Sequence, residues 1–191
     1  MSYKQSSKNF YNKYKSFIHM GIIVITAFSL AFVLTSYMVI SSTVVGTSMQ
    51  NTLKDGDKGI GLGTSLIRDI ERFDIVTFRH GDDVFVKRVI GLPNERIEYS
   101  SGVLKINDVV VEEDFELANA ENTGTFIRNL GRDEYFVMGD NRGNSFDSRS
   151  FGPISRDSIV SKHFLVFVSC RDTNIQGECQ SARINWPYLA R

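Results

Sequence analysis

A mostly β domain of antiparallel strands, carried on a single N-terminal transmembrane helix, is the fold class this sequence predicts. Three observations lead there. The charge-free run FIHMGIIVITAFSLAFVLTSYMVI (17–40) is long enough to cross a bilayer as one helix, which takes about 20 apolar residues. After it, apolar residues fall into short runs broken by Gly, Asn, Asp and Ser, the pattern of strands and turns. Two of those breaks, YSSGVL and INDVV, read as tight turns between short antiparallel strands.

Taken in order, residues 1–16 form a basic tail. They carry Lys4, Lys8, Lys13 and Lys15 and no acid. A lysine-rich leading flank predicts a cytoplasmic N-terminus, so the part beyond the span, 41–191, faces outward. The apolar core of 17–40 exceeds the roughly 7–15 residues of a secretory leader, and no A-x-A-like cleavage site follows, so the segment reads as a retained anchor. His19 reads as a residue at the end of that helix. Within 41–191, the runs 73–79, 84–91, 95–99, 102–106, 134–139 and 159–168 are expected strands. Segment 112–132, acidic and then Asn/Gly-rich, reads as a surface excursion, and 170–191 as a polar tail that either packs or frays.

Charge excludes one class of function. The chain has 22 basic and 22 acidic residues. All the acids lie from Asp55 onward, and with four lysines spent in the tail that part is mildly acidic. A nucleic-acid binder concentrates positive charge instead. Metal catalysis lacks ligands, since His19, His80 and His163 show no ligand spacing. Cys170 and Cys179, outside the cytoplasm, are candidates for a disulfide that geometry must decide.

Three stretches carry candidate chemistry. In VVGTSMQNTL (44–53), Ser48 sits in a small, uncharged, turn-prone stretch with no histidine nearby. A serine hydroxyl is a poor nucleophile until a base takes its proton. Read alone, Ser48 is a linker serine like any other. In VFVKRVI (84–90), strand alternation puts Phe85, Lys87 and Val89 on one face and Val84, Val86, Arg88 and Ile90 on the other. Arg88 is expected to reach solvent along its stem. Lys87 is either a solvated edge lysine, the reading the strand alone favours, or an ammonium held in an apolar setting, where desolvation lowers its pKa. A lysine neutral near pH 7 acts as a general base, and serine–lysine dyads are a known variant of triad chemistry. The third stretch, GDNRGNSFDSRSFGPI (139–154), predicts a tight, hydrogen-bonded loop after an apolar strand, in which Asp147 and Arg149 can pair.

Together, GTSMQNTL, VKRVIGLP and GDNRGNSFDSR, in that order behind an N-terminal anchor, resemble the boxes of the type I signal peptidase family. These are membrane-bound serine proteases that remove signal peptides from exported proteins. The resemblance spans the anchor and most of 40–165, and its third box is the most specific. It implies a signal-peptidase-like antiparallel β domain of two packed sheets, Ser48 as nucleophile, Lys87 as general base and the Ser48 amide in an oxyanion hole. It further implies that Ser145 orients the ammonium, that Asp147 and Arg149 form a supporting ion pair, and that Val44, Leu53, Phe85 and Val86 line shallow apolar pockets for small substrate residues. No cofactor or metal is implied. The expected partners are signal peptides of exported preproteins and the lipid bilayer. An alternative is an accessory role in surface pilus assembly, with pilus subunits as partners. A repressor-type self-cleaving protease and a plain anchored adhesion module are the other readings; the first lacks a DNA-binding region here, and the second leaves the ordered boxes unexplained.

One departure stands out. The family box reads Ser-Met-x-Pro-Thr, whereas this chain has Asn51 in place of proline. Loss of proline's fixed φ is expected to loosen the loop. Ser48 lies eight residues beyond Ile40, so an extended chain puts it no more than about 29 Å from the helix end. The substrate is expected to bind extended, along a strand edge.

Overall fold

The computed structural model describes residues 2–63, 69–173 and 179–189. The chain divides into two compact units, one ending at Met38 and one beginning at Val39.

The first unit is a helix, α1 (Ser2–Met38). Within it, Tyr14–Val33 is long and apolar enough to cross a membrane, with a mean hydropathy of 2.1 and no part of it buried. Apolar side chains are exposed all round it, Phe17, Phe28 and Phe32 among them. A helix apolar on every side needs an apolar medium rather than one packed face. Two expected boundaries move. The basic segment 2–16 is helical and continuous with the apolar run. At the other end Val39 and Ile40 already belong to a strand, because they have backbone partners in a later strand.

The second unit is built from two antiparallel sheets. Its strands are β1 (Val39–Thr43), β2 (Lys58–Gly63), β3 (Ile75–His80), β4 (Asp83–Gly91), β5 (Arg96–Ser100), β6 (Val103–Ile106), β7 (Val109–Val111), β8 (Phe126–Asn129), β9 (Glu134–Met138), β10 (Ile154–Ser155), β11 (Ile159–Thr173) and β12 (Cys179–Leu189). A short helix, α2 (Ser148–Phe151), follows β9. The larger sheet runs β1-β2-β11-β3-β4-β9-β10, with β12 also on β11; the smaller runs β7-β6-β5-β8. Both predicted turns are present. Ser101 and Gly102 link β5 to β6, and Asn107 and Asp108 link β6 to β7, all at positive φ, as two-residue hairpin turns require.

Period-two alternation sorts the core. Along β4 and β9, Val89, Tyr135 and Val137 enter a cluster with Val76, Phe78, Ile154 and Ile159. Ile90, Phe136 and Met138 point the other way, into a cluster with Ile97, Tyr99, Leu104 and Ile106 of the smaller sheet. Both faces of β4 are therefore covered, which governs the fate of its two cations. A third cluster, Val44, Met49, Leu53, Ile75 and Val166, lies under the loop that carries Ser48.

One sequence expectation is corrected, and one open alternative is decided. Segment 112–132 is no mere excursion: β8 pairs with β5, and Ala118 bridges Asn141. The polar tail is a hairpin partner, with β12 antiparallel to β11. Cys170 is disulfide-bonded, while the Cys179 side chain lies outside the described residues.

Candidate active site

Ser48 sits in the loop joining β1 to β2. These strands pair from Val39–Leu62 to Thr43–Lys58, so the loop leaves and returns at one place, closed by Val44 N–H to the Asp57 carbonyl at 2.8 Å and Gly56 N–H to the Val44 carbonyl at 2.9 Å. Met49 and Leu53, both fully buried, nail it to the core. The Asp57 carboxylate accepts from the Lys54 amide at 2.9 Å and the Cys170 amide at 2.9 Å, tying the loop's end to β11. A buried carboxylate needs such donors. Ser48, held between these anchors, stays half exposed.

Lys87 rises from β4 beneath it. Its Nζ donates to Ser48 Oγ at 2.6 Å and to the Val86 carbonyl at 3.0 Å. The side chain is 3% exposed, with the Phe85 ring centroid 5.7 Å from Nζ. Burial pushes the ammonium down from 10.5 to about 8, against the opposing pull of the Asp147 and then the Asp140 carboxylate. Desolvation wins because neither carboxylate makes an ion pair with it. Of the two readings left open by the strand, the apolar one holds.

The third stretch is the clamp that holds these two together. Asn141 N–H donates to the Ser48 carbonyl at 3.0 Å, and its side-chain amide to the Thr47 carbonyl at 3.2 Å. Asn144 donates to Thr47 Oγ1 at 3.0 Å. Gly139 is required by close approach: a Cβ there would lie 2.3 Å from Ser145 Oγ and 2.4 Å from the Ser48 carbonyl oxygen. Asp147 accepts from Gly139 N–H at 3.0 Å and from both Arg149 Nε at 2.9 Å and a terminal guanidinium nitrogen at 2.7 Å. Burial alone would raise its pKa, but the Arg149 and Gly139 hydrogen bonds hold it below the usual carboxylate range. The expected Asp147–Arg149 pair is thus present.

Ser145 is placed differently from expectation. Its hydroxyl is buried, and no aligned hydrogen bond joins it to Lys87 among the described residues. It packs over Gly139, close enough to Asp147 to help hold that carboxylate ionised, and the two contacts of Lys87 Nζ go to Ser48 and the Val86 carbonyl. The four pocket residues also divide. Val44, Phe85 and Val86 line a cleft of about 390 Å³ that contains Ser48 and Lys87. Leu53 is 0% exposed and belongs to the core under the loop, because its position follows the turn that buries Met49.

Several site residues had no clear sequence signal. Arg88, expected in solvent, is 1% exposed and grips Asp140 through two nitrogens at 2.9 and 2.7 Å. Thr52, from the Ser48 loop, donates to the same carboxylate. Glu113 pairs with the buried Arg142, whose Nε donates to the Gly139 carbonyl at 3.2 Å. Among the described residues the Ser48 amide donates to no backbone carbonyl, which leaves it available to an oxyanion.

A half-buried serine hydroxyl on a desolvated lysine, in a cleft of an antiparallel β domain that follows one membrane-length helix in the sequence, is the arrangement of a serine–lysine peptidase. The family model for signal peptidase, peptidase S26, matches residues 17–168. The chain is 32% identical over 167 residues to Signal peptidase IB of Staphylococcus aureus (strain COL), covering 78% of this chain and 87% of that protein. It is 30% identical over 161 residues to Probable signal peptidase I-2 of Synechocystis sp., covering 80% and 73%. A crystal structure of a signal peptidase I from Enterococcus faecalis V583 is 36% identical, covering 50% of this chain and 97% of that one at a TM-score of 0.46. The chain belongs to the signal peptidase family, peptidase S26.

Proposed function

We propose that this protein is a membrane-anchored endopeptidase that removes N-terminal signal peptides from exported preproteins, with Ser48 as nucleophile and Lys87 as general base. The observation that carries the reading is the 2.6 Å contact between Lys87 Nζ and Ser48 Oγ, made by a lysine whose pKa is lowered to about 8. Neutral Lys87 takes the Ser48 proton as Oγ attacks the scissile carbonyl. The Ser48 amide faces the developing oxyanion. The protonated lysine then gives its proton to the leaving amine, releasing the mature protein's new N-terminus and leaving the signal peptide as an acyl-enzyme. Lys87 next removes a proton from water, whose attack frees Ser48. Asp147, Arg149 and Asn141 hold the loop geometry.

The four tail lysines support an N-terminus in the cytoplasm and a β domain on the outer side, with Tyr14–Val33 as the span. Such an anchor confines the enzyme to the bilayer where its substrates emerge. The pilus-assembly alternative has no observation in its favour.

Cleavage of a preprotein bearing an A-x-A site, by the full-length protein in liposomes, tests the reading. The parent is expected to cleave, and Ser48→Ala and Lys87→Ala to lose cleavage while remaining folded. Cleavage that survives in either variant, or a folded parent that cuts no such preprotein, overturns it.

A further inference from the structure

We propose that Phe146 is a specificity-determining residue: with Phe85 it forms an aromatic wall of the Ser48–Lys87 cleft that receives a large apolar side chain of the substrate. The proposal rests on the peptidase reading above and goes beyond the shallow pockets for small residues that Val44, Phe85 and Val86 serve.

Phe146 is the one apolar side chain in a loop of Gly, Asn, Ser, Asp and the buried Arg142 (139–147), yet it is 56% exposed and lines the cleft. It is not a stray surface residue. Two residues earlier, Asn144 is bonded to Thr47 of the nucleophile loop, and the next residue, Asp147, is fully buried and caps α2. The ring itself is set edge-on to Phe151, centroids 5.2 Å apart at 62°, and tilted against Phe85 at 6.2 Å. Phe85 in turn stacks on the fully buried Phe78 at 5.9 Å. A continuous aromatic series thus runs from the core to the mouth of the cleft, and its last ring is left open to solvent.

Val45 and Val84 line the same cleft and are 87% and 58% exposed. Single exposed apolar residues are ordinary, but three around one cleft make a patch that marks a binding surface. The occupant follows from position. Ser48 Oγ, Lys87 Nζ, the Phe85 ring and the Phe146 ring are separated by successive steps of 2.6, 5.7 and 6.2 Å. At about 3.3 Å per extended residue, the wall lies within about four residues of the scissile bond. A peptide bound for cleavage therefore lies within reach of it, and an apolar side chain gains most from an aromatic, water-exposed face.

The test is a panel of peptides sharing one A-x-A site, with Leu, Phe or Ser walked through each other position within four residues of the cut. The full-length protein in detergent and its Phe146→Ser and Phe146→Leu variants are compared by kcat/KM. The parent is expected to favour Leu or Phe over Ser at one position by about tenfold, the scale a hydrophobic pocket gives. Phe146→Ser should erase that preference, mainly through KM, lowering Leu- and Phe-bearing peptides far more than Ser-bearing ones; Phe146→Leu should keep most of it. Equal loss across the whole panel, or a preference untouched by Phe146→Ser, overturns the proposal while the peptidase reading stands. A parent that cuts no peptide overturns both.

Discussion

Lys87 and Arg88 are neighbours on β4, they point to opposite faces, and both are buried, at 3% and 1% exposed. They are satisfied in opposite ways. Arg88 meets a carboxylate with two nitrogens, a backbone carbonyl at Phe73, the Thr52 hydroxyl and the face of Phe115 at 4.0 Å. Lys87 meets one hydroxyl and one carbonyl, and its two nearest carboxylate influences act only through space. The guanidinium suits a planar, two-point pairing; the ammonium can lose a proton when water is withdrawn. One face of the strand therefore carries structure and the other chemistry, and the difference lies in where a counter-charge was supplied.

Replacing each cation by methionine should separate the two roles. Lys87→Met is expected to lower the rate of preprotein cleavage by about 10²–10⁴-fold, the usual worth of a general base. Its melting temperature should hold or rise, because a desolvated cation is exchanged for an apolar chain of similar reach. A Lys87→Met protein that unfolds would break the comparison. Arg88→Met should do the reverse, costing about 3–5 kcal/mol in urea denaturation, because Asp140 is left buried without its partner. Adding Asp140→Asn should return part of that loss, and a cycle showing no coupling between the two would remove Arg88 from the structural role given to it.

A smaller effect sharpens the chemical side. Since Lys87 titrates near 8, kcat/KM should climb about tenfold per pH unit below 8 and level off above it. The stability sign follows separately. The folded-state pKa is below the 10.5 of the unfolded chain, so between about 8 and 10.5 the unfolded state holds more protons and folding gains stability as pH rises. Below about 8 both states are protonated and the burial cost is constant. Asp147 raises the Lys87 pKa, so Asp147→Asn should move the rate profile to lower pH. A shift to higher pH would mean that the carboxylate acts on the lysine by some route other than charge.

The comparison on β4 also marks what sequence reveals. Alternation separates Lys87 from Arg88 but does not tell whether either face is covered, and burial of both needed the smaller sheet on one side and the Ser48 loop on the other. The box 139–149 was legible because turn formers, a carboxylate and an arginine crowd a short stretch. Its support was not. Ala118 accepts from the Arg142 amide and donates to the Asp140 carbonyl, contacts made by main chain that leave no mark in residue type. Strands β1 and β2, VISST and KGIGLG, are too rich in small residues to announce themselves, so the loop between them read as a linker. The loop itself offered Ser145 or Ser148 as a hydrogen-bonding hydroxyl near the site, and only the resemblance chose Ser145; its close approach to Gly139 is a packing outcome that residue type does not announce.

Asn51 gives the smallest effect and tests whether the Ser48 loop is loosened by the missing proline. The structure argues against that expectation. Asn51 has φ 83° in a turn closed by the Thr52 amide on the Met49 carbonyl at 3.1 Å, where it is the third of four residues. A left-handed residue at that place is what type II turns need, and Gly or Asn supplies it. Proline, fixed near −65°, cannot. The turn matters because the next residue, Thr52, bonds Asp140 and so joins the nucleophile's loop to Arg88. Asn51→Gly should therefore leave cleavage within about twofold of the parent and stability within a few tenths of a kcal/mol. Asn51→Ala should cost about 1 kcal/mol, the penalty of a left-handed residue with a Cβ, and Asn51→Pro should cost more than alanine and slow cleavage too. Urea denaturation of the three variants, read beside their kcat/KM, decides it: a proline variant faster and more stable than the parent would show that this loop takes the family's right-handed turn and that asparagine here is a defect.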